Sequence, residues 1–168
     1  MQDTDRTLYV LCGIPYSGKS TFADKDPVLS GLPKLSSDRL ILEKAERLGT
    51  TYDKIFLESI KEAEKEFLRQ VNGHLEAGQS FVIDRTNGNP KSRMKLCRKA
   101  KEHGFRAVCI YFEHPSTEEI EERIGQRKSH ILPKYRVQSF RDSFVLPTLD
   151  EGFDAYFVVR QPAPEESL

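Results

Sequence analysis

GIPYSGKST occupies residues 13–21 and follows directly on LYVLC, residues 8–12. An apolar run halts at a glycine, loops through a second glycine and then presents Lys19, Ser20 and Thr21. From Gly13 to Ser20 the stretch fits G-x-x-x-x-G-K-[ST], in the setting that pattern requires, after a strand and before a helix. Gly13 and Gly18 permit backbone angles and a close approach that a side chain would block. The N–H groups between them, Ser17 included, converge on one concavity at the positive end of the next helix and suit phosphate oxygens. Lys19 adds a mobile charge for the outer phosphates of ATP, the Ser20 hydroxyl suits Mg²⁺, and Thr21 completes the cradle.

Working outward, the other apolar runs are FVID (81–84), AVCIYF (107–112) and AYFVV (155–159), with a short strand through Lys34 and Leu35. Continuous runs rich in Val, Ile and aromatics suit strands covered on both faces, hence a parallel sheet. Between them the period turns helical. Phe56, Ile60, Ala63, Phe67, Val71 and Leu75 recur at three- and four-residue steps. NPKSRMKLCRKAKEHG offers Asn89 as cap, Pro90 at the first helical position and Gly104 as stop. Ser116 and Glu119 form a capping box ahead of Ile120 and Ile124, and Val137, Phe140 and Phe144 mark a last helix. Alternating strands and helices predict a three-layer α/β fold around a parallel sheet of about five strands. One domain is expected over residues 1–160, with a frayed tail over 161–168.

Composition narrows the class. Lys plus Arg and Asp plus Glu both number 26, so overall charge gives no warrant for a nucleic-acid or membrane partner, and an anion must meet a local basic patch. Cys12, Cys97 and Cys109 lack metal-ligand spacing and read as buried reduced thiols. No signal-peptide pattern or membrane-spanning run appears, so a soluble cytoplasmic protein is expected. An N-K-x-D run for guanine is missing, which argues against a GTPase switch and favours a phosphotransferase.

Such an enzyme needs an acceptor-side carboxylate and cations over the moving phosphoryl group. In LSSDRLI (35–41), Asp38 lies just beyond the second strand, where doubly wound sheets bind ligands. It suits either a base for an acceptor hydroxyl or, with Ser37, a helix cap. Arg39 is open between solvated helix and acceptor contact. FVIDRTNGNP ends a strand in Asp84, which suits Mg²⁺ or the ordering of its own loop; Thr86 and Asn87 are candidate acceptor contacts. Arg123 and Arg127, four apart before a segment containing Gly125 and Ser129, suit a closing lid over phosphates or a solvated face. The four histidines share no spacing, and Tyr52, Phe56 and Phe67 read as core.

Together these segments resemble the 5′-hydroxyl polynucleotide kinase family, the kinase module of nucleic-acid end-healing enzymes. GIPYSGKSTFA is similar to its phosphate loop, SSD to its acceptor segment and DRTNGNPKSR to its D-x-T-N loop. SHILPKYRVQSFRDSFVLPTLDEGF (129–153) resembles the stretch between lid and final strand in animal members. The resemblance covers about residues 8–159. It implies ATP and Mg²⁺ as cofactors, a DNA or RNA 5′-hydroxyl end as partner, Lys19 and Ser20 on the phosphates and metal, Asp38 as general base and Arg127 as lid arginine. The chain departs from the family at Ile41, where some members carry arginine; Arg39 is the substitute at hand. The acid pair of the attached 3′-phosphatase of longer members is missing, so no phosphatase activity is expected. Two rivals stay open. One is a kinase of a smaller acceptor, or of a hydroxymethylated base within DNA as in some phage kinases of similar build. The other is a nucleotide-gated binding module.

Overall fold

The computed structural model describes residues 6–128 and 131–162. Ser129, His130 and residues 163–168 of the expected tail lie outside that range. Five parallel strands form the sheet: β1 (Thr7–Cys12), β2 (Lys34–Leu35), β3 (Phe81–Asp84), β4 (Arg106–Phe112) and β5 (Ala155–Val159), in the order β2-β3-β1-β4-β5. The helices are α1 (Lys19–Lys25), α2 (Ser37–Arg47), α3 (Tyr52–Ala77), α4 (Pro90–Glu102), α5 (Thr117–Gln126) and α6 (Lys134–Ser143). The expected three-layer fold is therefore present. Among the described residues no helix is long and apolar enough to cross a membrane.

Strand alternation divides the core into two layers. Leu8, Val10 and Cys12 of β1 pack with Phe67, Val71 and Leu75 of α3 and with Leu96 and Ala100 of α4. Leu11 faces the other way, onto Ala23 of α1 and Leu29. Covering both faces explains why β1 is apolar at nearly every position; each fully buried leucine or valine contributes roughly 1.5–3 kcal/mol. The three cysteines are buried and unpaired, as expected. α4 is capped by the Asn89 side chain, which accepts from Lys91 N at 2.8 Å, and Gly104 follows at φ 74°. The capping box of Ser116 and Glu119 is likewise formed.

α3 departs from its expected stripe. Its buried residues are Tyr52, Ile55, Ser59, Ala63, Phe67, Val71 and Leu75, whereas Phe56 and Ile60 are only half-buried. The helix is longer than the sheet it covers. Its C-terminal half lies on β1 and β3, while its N-terminal half packs on Ile41 and Ala45 of α2 and turns Phe56 and Ile60 toward a cleft. Gly125 also differs from expectation, because it lies inside α5 rather than in a loop. Gln161, assigned from sequence to the frayed tail, is held by its side chain: Nε2 donates to Ser17 O at 3.0 Å and to Glu113 O at 2.7 Å.

Candidate active site

Everything chemical gathers at the carboxyl ends of the strands. β1 hands over to the phosphate loop, and the register that sets Leu11 beside Asp84 carries β3 to the same edge. Gly13 N then donates to Thr86 O at 3.0 Å, locking the two strand ends together. Gly13 must be glycine: a Cβ there would lie 2.6 Å from Ser17 Oγ and 3.0 Å from Phe112 Cβ. Gly18, at φ 89°, is the residue preceding α1. Tyr16 holds φ 67° without being glycine, a conformation costing about 1–3 kcal/mol that the surrounding contacts must offset.

The loop fits the phosphates of a nucleotide on several grounds. Ser17 Oγ is buried with no hydrogen-bond partner among the described residues, an uncommon state that an added oxygen would relieve. The half-buried Lys19 donates to Gly13 O at 2.9 Å and Ile14 O at 3.0 Å, leaving a third N–H uncommitted. Burial pushes Lys19 down to about 8, opposed by the negative charge of Asp84. Ser20 Oγ donates to Asp84 Oδ2 at 2.7 Å, so the two expected Mg²⁺ ligands are in contact. Among the described residues no cluster of three or more His, Cys, Asp or Glu is built for a metal. A hydroxyl and one carboxylate suit Mg²⁺, which ordinarily relies on substrate phosphates and water for its remaining ligands.

Three cavities lie along this edge, the second sharing lining residues with each of the others. The first, of about 630 Å³, lies beside Ser17, Gly18 and Thr21 and is walled by Phe22, Phe112 and Arg123. The second, of about 260 Å³, brings together Lys19, Ser20, Asp38, Arg39, Asp84 and Arg127. The third, of about 460 Å³, opens between α3 and α6 and is lined by Asp38, Tyr52, Phe56, Arg85, Arg136 and Phe140. Asp38 lines both the second and the third.

The alternatives left by the sequence now separate. Asp38 does not cap α2; Ser36 does, its Oγ accepting from Arg39 N at 3.4 Å. Asp38 Oδ1 instead accepts the hydroxyl of Tyr52 at 2.5 Å, and burial, followed by this bond, pushes the Tyr52 phenol up. Arg123 and Arg127 do not share a helical face, because α5 ends at Gln126 and Arg127 is extended. Arg123 is spent on structure: Nη1 donates to Tyr16 O at 2.5 Å and Nη2 to Gln161 Oε1 at 2.9 Å. Arg127 rests on the Tyr16 ring, its guanidinium carbon 4.6 Å from the centroid, and forms no ion pair with the described residues. Asn87, expected to contact acceptor, commits its amide nitrogen to Leu11 O at 2.7 Å and Arg85 O at 3.3 Å. It braces the loop and still lines the third cavity, while Thr86 lines both the second and the third. Ile41 is fully buried against α3, so no charge is presented there.

Several contacts that shape the candidate site carry no local sequence signal. Tyr52 meets Asp38 across the α2–α3 turn. Arg85 stacks over Phe67 at 4.6 Å and pairs with Glu64 at 2.6 Å, while Arg136 stacks over Phe56 at 5.0 Å. Arg93, fully buried, grips Glu151 through Nε and Nη2, both at 2.7 Å, and donates from Nη1 to Asn87 O at 2.8 Å. The PTLDEGF segment at residues 147–153, through Glu151, thus holds the D-x-T-N loop in place.

Comparison with known proteins agrees with this geometry. A family model described as an AAA domain matches residues 8–147. The bifunctional polynucleotide phosphatase/kinase of Schizosaccharomyces pombe is 30% identical over 151 residues, 87% of this chain. The chain spans 31% of that relative's length. The resemblance read from the motifs therefore recurs along most of the sequence. A structure assigned as a kinase from Chloroflexus aurantiacus superposes with a TM-score of 0.69 at 19% identity, covering 94% of this chain and 86% of the other. A gluconokinase from Sinorhizobium meliloti gives 0.61 at 21% identity, covering 95% and 85%. These two likenesses bear on the fold.

Proposed function

Because this chain belongs to the AAA-domain family and is a P-loop kinase domain, we propose that it transfers the γ-phosphoryl group of ATP to the 5′-hydroxyl of a DNA or RNA end. The observation that carries this reading is the position of Asp38, which borders both the pocket holding Lys19 and Ser20 and the cleft of Phe56 and Arg136. Aromatic faces and arginines in one cleft suit a nucleotide unit, the rings for its base and the guanidiniums for its phosphate. The 30% identity to a polynucleotide phosphatase/kinase supports the same acceptor.

The loop from Gly13 to Ser20, with Lys19, would hold the phosphates of ATP, and Ser20 and Asp84 would hold Mg²⁺. When bound, the nucleotide supplies the phosphoryl group and the ion offsets its charge. Asp38 would accept the proton of the attacking hydroxyl as the new O–P bond forms and the bond from the γ-phosphorus to the β-phosphate oxygen breaks, with ADP as the leaving group. Tyr52 engages Oδ1 of Asp38, which orients the carboxylate and leaves Oδ2 for that proton. Lys19 and Arg127 stabilise the negative charge on the moving group, and the walls of the two cavities keep the partners in line.

A kinase of a smaller acceptor is the second reading. The formal net charge of +0 favours it, since strand-binding proteins usually carry a basic footprint. Radiolabelled ATP offered together with a 5′-OH oligonucleotide, nucleosides and sugar acids separates the two. Label is expected at the 5′ end of the oligonucleotide; label on small acceptors alone would reject the proposal.

A further inference from the structure

Tyr16 is the one described residue of the phosphate loop that adopts a left-handed backbone without being glycine. It is buried, packed with Ile14, Ile120 and Val137. Its carbonyl, its ring and its hydroxyl each have a partner. Its carbonyl accepts from Arg123 Nη1 at 2.5 Å, and its ring carries the Arg127 guanidinium at 4.6 Å. Its hydroxyl accepts the backbone N–H of Leu132 at 2.9 Å. These partners sit on three successive parts of the chain: α5, the residue that follows it, and the approach to α6. Leu132 lines both the transfer pocket and the acceptor cleft. Through Gln161, which binds Arg123 and also Ser17 O, the strut returns to the phosphate loop.

We propose that Tyr16 is a positioning residue that couples the donor and acceptor sites. Its ring seats Arg127 over the transfer pocket, and its hydroxyl fixes the acceptor wall at Leu132. An outlying backbone conformation maintained by this many contacts points to function. The coupling follows because one side chain cannot move in the phosphate loop without moving both attachments. Nucleotide seated on the loop holds Tyr16 still, and so tightens acceptor binding; by linkage, acceptor tightens nucleotide binding by the same factor. The inference rests on the kinase reading, but not on nucleic acid as the acceptor.

Two variants test it by parts. Tyr16→Phe removes the hydroxyl alone, and Tyr16→Leu removes the ring as well. Hydrogen exchange of the Leu132 amide, with and without ADP and Mg²⁺, reads the attachment directly. In the wild type, ADP is expected to slow that exchange. In Y16F the exchange is expected to run about tenfold faster and to ignore ADP, with acceptor KM raised about fivefold, the low end of ordinary coupling, and kcat little changed. In Y16L kcat is expected to fall as well, because Arg127 loses its seat. Unchanged Leu132 exchange in Y16F would overturn the proposal. So would a loss of ADP affinity of about fivefold measured without acceptor, the signature of a tyrosine that merely stabilises the loop, since loss of coupling alone leaves that affinity unchanged. If the wild type labels no oligonucleotide, the polynucleotide reading fails by itself, and the response of Leu132 to ADP still decides the role of Tyr16.

Discussion

The donor and acceptor halves of this site are built in opposite ways. Most of the proposed donor half comes from one short loop, Gly13 to Ser20, with a single lysine whose ammonium donates to Gly13 O. The acceptor half has no such segment. It is assembled from side chains of α2, α3, the loop after β3 and α6, brought together across more than a hundred positions from Asp38 to Phe140. A triphosphate tail is the same in every kinase and can be met by a conserved backbone shape, whereas an acceptor varies and must be met by side chains. Asp38 belongs to both halves, and Arg93 with Glu151 ties the loop they share.

Substituting Asp38 tests the separation most severely. Asp38→Asn is expected to lower transfer by about 10²- to 10⁴-fold while ADP affinity, read by calorimetry, stays within about twofold. Joint loss of both would mean that the halves are not separable. Glu151→Ala strips a fully buried guanidinium of its carboxylate and is expected to cost about 3–5 kcal/mol in urea unfolding. A loss under about 1 kcal/mol would show that the acceptor loop is held by other contacts. Gly13→Ala attacks the donor half alone. Its new methyl collides with Ser17 Oγ, and the shift required is expected to weaken ADP binding by about 1–3 kcal/mol with helical content intact.

The smallest effect is one of pH. Lys19 titrates near 8 because of burial, and bound phosphate raises that value, so nucleotide binding takes up a proton once the pH exceeds about 8. ADP affinity is therefore expected to be flat below about pH 8 and to fall by up to about tenfold per unit above it. Lys19→Met, measured by the same titration, should bind more weakly and lose the slope. A wild-type slope that survives in Lys19→Met would assign the titration elsewhere.

How much of this was legible follows from the same contrast. The strands are readable because burial on both faces leaves continuous apolar runs, and β5 matches its run residue for residue. Asn89 and Ser116 announce their helices because capping is a local hydrogen bond. The arginine pair misled, since helical spacing says nothing about where a helix ends; Arg127 falls just beyond it and Arg123 turns inward. Phe56 was assigned to the core because periodicity identifies an apolar stripe without saying how much of it overhangs the sheet. Tyr52 is buried, as its core reading has it, but its bond to Asp38 gave no signal, nor did the contacts of Arg136 and Gln161, since each acts on a partner distant in the chain.

Taken alone, the order of residues determined the parallel sheet, the phosphate loop and the caps, because each depends on neighbours a few positions apart. Only the folded chain decided that Asp38 faces a cleft rather than capping α2, that Arg123 bonds Tyr16 and Gln161 while Arg127 lies on the Tyr16 ring, and that Tyr16 joins the two halves. Those outcomes rest on which side chains meet across the carboxyl edge of the sheet, and that is set by packing between elements whose separation in sequence carries no trace of the meeting.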